Sequence, residues 1–84
     1  MTSPAEIQIL YFAALRETAG KEGETVALPN GATAASVYAQ LAAQYGFILP
    51  QERLRCAVNH RFAAWDTALN AGDILAFIPP VAGG

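Results

Sequence analysis

Residues 72–84 read GDILAFIPPVAGG, and the fold turns on how this stretch is read. Gly72 and Asp73 make a turn, and residues 74–78 follow as a strand whose side chains alternate between two faces. Leu75 and Phe77 point one way and Ile74, Ala76 and Ile78 the other, so both faces are apolar. Pro79 and Pro80 then end the ladder, because neither has a backbone N–H to donate. The sequence upstream offers one substantial helix, which can cover one face of a sheet. The other face is left for solvent or a partner.

That helix is expected over residues 34–44. Thr33 caps it, its hydroxyl accepting an otherwise unpaired backbone N–H, and Val37, Leu41 and Tyr45 recur at every fourth position with Ala34 and Tyr38 beside them. Gly46 supplies a left-handed terminus. Nearer the start, residues 6–12 alternate as a strand, with Ile7, Ile9 and Tyr11 on the core face and Gln8, Leu10 and Phe12 opposite. Residues 13–19 make a short helical turn ended by Gly20, and residues 25–28 form a second strand in a loose hairpin with the first. Residues 55–59 are a third strand and residues 62–65 its short hairpin partner. The expected molecule is one α+β domain, residues 1–78, with a flexible tail over residues 79–84.

Composition narrows the function. A chain of 84 residues makes one domain and buries only about 60% of its unfolded surface. Its 54% hydrophobic and 14% charged residues exceed and fall short of ordinary soluble usage, which suits an exposed docking patch. The net charge is −2, and Arg16, Lys21, Arg53, Arg55 and Arg61 form no dense run, which argues against nucleic acid. A single cysteine and a start, MTSPAEIQ, without basic and apolar signal regions point to a reducing, cytoplasmic setting. No apolar run reaches the roughly 20 residues that span a membrane.

Cys56 and His60 do not read as a nucleophile and base. Four residues of extended strand separate them by roughly 13 Å, far beyond hydrogen-bond reach. Cys56 is expected in the core and His60 in a solvated turn. One Cys and one His also fall short of a metal site or an iron–sulfur ligand set. Trp65 reads as a core residue or a packing anchor, and Arg16 and Glu17 as a loop contact or a weak surface pair.

The tail carries more information. Small residues gather at frayed ends, but a frayed end has no use for two prolines, which hold the base of the tail extended. Val81 and Ala82 are small, and Gly83 and Gly84 lack a Cβ, so the segment fits a narrow channel. At about 3.3 Å per residue it reaches roughly 20 Å. A terminal carboxylate is a poor electrophile and needs activation, for instance as an acyl-adenylate made from ATP. A sulfur or nitrogen nucleophile can then displace AMP.

The ending LAFIPPVAGG with Ile74 before it, the Gly72-Asp73 turn, the opening ILYFAALRETAG and the AVN at residues 57–59 resemble the molybdopterin synthase small subunits. These are the sulfur carriers of molybdenum cofactor biosynthesis, in the ubiquitin-like sulfur-carrier superfamily. The resemblance spans essentially the whole chain and implies a β-grasp fold. It also implies a cycle in which an E1-like adenylating enzyme consumes ATP and Mg to activate Gly84, and a persulfide donor converts it to a thiocarboxylate. The tail then enters the large subunit, whose residues catalyse sulfur transfer to a cyclic pterin precursor. The carrier binds no cofactor itself, and two copies flank a large-subunit dimer in a heterotetramer.

Position by position, the resemblance makes Gly84 the adenylated and thiocarboxylated residue and places Gly83, Ala82, Val81, Pro80 and Pro79 in the inserted arm. Phe12, Phe62 and Ile78 fall on the apolar docking surface. Ile78 stands where an aromatic is frequent and Ile74 where a polar residue is common. Two other uses of the same end are a ubiquitin-like modifier joined to lysines and a thiamine-pathway sulfur carrier, which the Phe-Ile-Pro-Pro-Val-Ala stretch fits less well. A passive interaction domain with an unused tail is the remaining alternative.

Overall fold

Alternation in the first strand sets the sheet. In β1 (Glu6–Tyr11), Ile7, Ile9 and Tyr11 are buried while Glu6 and Gln8 face outward, the period-two pattern of a strand covered on one side. The computed structural model describes residues 5–80. After β1 come α1 (Ala13–Ala19), β2 (Gly23–Ala27), α2 (Ala34–Tyr45), a 3₁₀ turn (Gln51–Arg53), β3 (Arg55–Val58), β4 (Arg61–Ala63) and β5 (Ile74–Ile78).

The strands form one mixed sheet in the order β2-β1-β5-β3-β4. Two antiparallel hairpins, β1–β2 and β3–β4, are joined by β5, which runs parallel to β1 and antiparallel to β3. Leu75 lies between Ile9 and Val58, and Phe77 between Tyr11 and Cys56. Leu75 and Phe77 are fully buried, each worth about 1.5–3 kcal/mol relative to exposure. This is the β-grasp arrangement that the resemblance implies.

Helix α2 closes the core with Ala34, Val37, Tyr38 and Leu41. A capping box starts it: Thr33 Oγ1 accepts from Ser36 N at 3.2 Å, and Ser36 Oγ accepts from Thr33 N at 2.9 Å. Gly46, at φ 77°, ends it as expected. Tyr38 meets Phe77 edge-on at 5.0 Å between ring centroids, and Trp65 stacks on Phe77 at 6.0 Å. Trp65 is thus the packing anchor expected of it.

Six strand ends differ from expectation: β2 ends at Ala27, β3 ends at Val58 and β4 starts at Arg61, each shifted by one residue, and three further shifts have a visible cause. β1 stops at Tyr11 because Ala13 takes φ 52° and turns the chain into α1. β2 begins at Gly23, two residues early: a Cβ there would sit 2.6 Å from the Ile9 carbonyl oxygen, so the glycine permits the strand rather than breaking it. β4 ends at Ala63 because the next segment serves the helix, the Trp65 carbonyl accepting from Ala35 N at 2.9 Å.

The β3–β4 turn is made by Asn59 and His60, both left-handed at φ 53° and 70°, the conformation that two-residue hairpin turns require. Asn59 also ties this turn to β5. Its Oδ1 accepts from Ile74 N at 2.9 Å and its Nδ2 donates to Asp73 Oδ1 at 2.9 Å. Asp73 Oδ2 in turn accepts from Asn70 N at 2.7 Å.

Candidate functional site

The face of the sheet turned away from α2 carries a shallow apolar groove of about 220 Å³. Strand register explains its shape. Leu10, Ala76, Ala57 and Phe62 stand in one row across β1, β5, β3 and β4. The two alanines form the floor between larger side chains, and Phe12, Ile74, Ile78 and His60 complete the lining. Phe62 is 68% exposed and Phe12 43%, unusually open for rings of that size.

Phe12, Phe62 and Ile78 therefore come together on one surface, although they lie on three separate parts of the chain. Leu10, Ala57 and His60 belong to the same lining without having been assigned to a docking surface. The alternation of residues 8–12 already placed Leu10 beside Phe12, so that member was within reach of the pattern.

A second, larger groove of about 550 Å³ lies where the chain leaves β5. Ile78, Pro79 and Pro80 form one wall, while Arg53, Arg55, Phe62 and Trp65 contribute to the rest. Arg55 stands opposite Ile78 in the register of β3 and β5, and its guanidinium carbon lies 5.7 Å from the Phe62 ring centroid, within cation–π range. Phe62 and Ile78 line both grooves, so the two depressions share a ridge. Pro79 is half-buried and Pro80 exposed, and both follow β5 outside any strand. Val81, Ala82, Gly83 and Gly84 lie outside the described residues.

Cys56 and His60 do not meet as a dyad. The chain turns at Asn59 and His60 rather than running straight, but Cys56 faces the core, with Sγ donating to the Ala63 carbonyl at 3.2 Å, while His60 borders the open-face groove. Burial pushes the Cys56 thiol up, which keeps it protonated and unreactive. Among the described residues, no three His, Cys, Asp or Glu side chains converge on a metal position. Arg16 pairs with Glu22 at 3.8 Å rather than with Glu17.

A polar cluster on the core side has a structural task. Glu24 Oε2 accepts from Tyr11 Oη at 2.6 Å and from Tyr45 Oη at 2.5 Å, and Lys21 Nζ approaches Oε1 at 3.5 Å. Burial alone would raise the Glu24 carboxyl, but the two phenol donors and the Lys21 charge outweigh it and hold the carboxyl below its ordinary value. Burial, and then the bond to Glu24, push the Tyr11 phenol far up. The cluster fastens the last turn of α2 to the β1–β2 hairpin.

Comparison with known proteins adds the family context. The ThiS family model matches residues 9–84. The molybdopterin synthase sulfur carrier subunit of Mycobacterium tuberculosis is 37% identical over 81 residues, covering 94% of this chain and 98% of the relative. The subunit of the same name from Escherichia coli is 36% identical, covering 93% and 99%. Among solved structures, small archaeal modifier protein 1 of H. volcanii superposes with a TM-score of 0.78 at 27% identity, over 92% of this chain and 99% of that one.

Proposed function

Because this chain belongs to the ThiS family, we propose that it is a sulfur carrier that supplies molybdopterin synthase through the carboxylate of Gly84. The observation that carries the proposal is a family match running through Gly84 itself, alongside two relatives of that name matched over nearly their full lengths. The geometry supports it. The central strand β5 aims the chain out past Pro79 and Pro80 beside an apolar surface made by Phe12, Phe62 and Ile78.

The chemistry is acyl activation followed by sulfur substitution. An E1-like enzyme uses ATP and Mg to attach AMP to the Gly84 carboxylate, with pyrophosphate leaving. Sulfur from a persulfide donor displaces AMP, and two further electrons from a thiol release the thiocarboxylate from the donor. The arm, residues 79–84, then carries it into the large subunit, whose residues catalyse transfer to the cyclic pterin precursor. This chain contributes the arm and the docking face, and holds no resident cofactor. The setting is the cytoplasm; among the described residues, no helix is long and apolar enough to cross a membrane.

Intact-mass spectrometry tests the proposal. Incubation with the activating enzyme, ATP, Mg and a persulfide donor is expected to add the mass of one oxygen-for-sulfur exchange, located on Gly84 by fragmentation. An unchanged mass, with a known carrier modified in parallel, would sink it. A second reading is attachment to lysines, favoured by the likeness to a protein named as a modifier. Isopeptide-linked conjugates in cells would support that use; cofactor deficiency on deletion without conjugates supports the carrier alone.

A further inference from the structure

We infer that the groove beside the chain exit receives an acidic segment of the synthase large subunit, with Arg53 and Arg55 meeting its carboxylates while Phe62 and Ile78 take an adjoining apolar side chain. The inference rests on the proposed function, since it assumes that the tail is held by that subunit. It adds a charged contact to the apolar docking face.

The distribution of charge leads to it. Among the described residues, Arg16 and Lys21 have acidic partners, Glu22 and Glu24. Arg53, Arg55 and Arg61 form no ion pair there, and all three fall on the 3₁₀ turn, β3 and β4. A molecule of net charge −2 thus gathers its uncompensated cations around one edge of the sheet. Two of them line the groove, and the one carboxylate in that lining, Glu52, is exposed and pairs with neither.

Position makes this edge a contact surface. The wall opposite the arginines is Ile78, Pro79 and Pro80, so a protein that closes around the chain beyond Pro80 also covers the groove. Covering two guanidinium groups without partners would be costly, whereas planar carboxylates match their paired N–H donors. Arg55 is already oriented by the Phe62 ring, which limits the entropy lost on pairing. Continuity through Phe62 and Ile78 makes the charged groove and the apolar groove two halves of one surface.

Calorimetric titration of full-length protein into the large subunit tests this, with three chains compared. R53Q/R55Q removes two charges at the groove. Q40E/Q44E lowers the net charge equally, on the exposed side of α2, and both pairs are surface positions that leave the core intact. The expected result is about a tenfold loss of affinity for R53Q/R55Q, with Q40E/Q44E unchanged. Raising salt from about 50 to about 300 mM is expected to weaken the wild type and Q40E/Q44E but to leave R53Q/R55Q nearly flat. Equal affinities for all three overturn the inference, as does an equal loss in both variants, which would report net charge alone. Failure of the wild type itself to bind the large subunit overturns the proposed function and this inference together; binding by the wild type keeps the two separable.

Discussion

Glu24 serves as a junction, since one carboxylate joins β2 to a phenol from β1 and a phenol from the end of α2. Replacing it with alanine leaves two partly buried hydroxyls without their acceptor, and Glu24→Ala is expected to cost about 1–3 kcal/mol in urea unfolding at neutral pH. The pH dependence has a definite sign. The folded carboxyl titrates below its ordinary value of 4.5, so its contribution is complete above that value and is lost as the pH falls through the depressed folded value. The stability gap between wild type and variant is therefore expected to close on acidification below about pH 4.5. None of this was legible in the sequence. Tyr11 and Tyr45 lie 13 and 21 positions from Glu24, and no local pattern announces that three such residues will meet.

Elements were more legible than their ends. The alternation of residues 6–12, the Thr33 cap and the Gly46 terminus each express a local preference that tertiary packing reinforces, and each appears where expected. Boundaries failed where a residue's usual role reversed. Gly23 reads as a breaker yet lies in a strand, and residues 64 and 65 were expected in β4 but lead instead to the start of α2. The β3–β4 hairpin and a solvated turn at His60 were expected, but the share of Asn59 in that turn was not, because Asn-His lacks the Asn-Gly signature while Asn59 secures the turn through β5. Asn59→Ala is expected to cost about 1–3 kcal/mol, from a left-handed alanine and two lost side-chain bonds. Asn59→Gly should recover the backbone part alone. Hydrogen exchange is expected to register both through faster exchange of the Ile74 amide, whose acceptor is removed.

At the scale of the molecule, the proposed function divides folding and chemistry between the sheet and the arm. Deleting Gly83 and Gly84 is expected to change unfolding free energy by less than about 0.5 kcal/mol, since neither residue has a side chain to bury, and to abolish sulfur acceptance in the mass assay. A large loss of stability would contradict the division. The apolar groove was foreseeable from Phe12, Phe62 and Ile78. The groove lined by Arg53 and Arg55 was not, because it gains its facing wall only when β3 is laid beside β5 and Ile78 comes opposite Arg55. That same pairing has a mechanical side. A pull on the chain beyond Pro80 runs along β5, which is flanked by β1 and β3 on its two sides. Against an anchored sheet, the bonds of both ladders resist together in shear instead of opening one by one like a zip, so a seated arm can be tugged free without unravelling the protein that owns it.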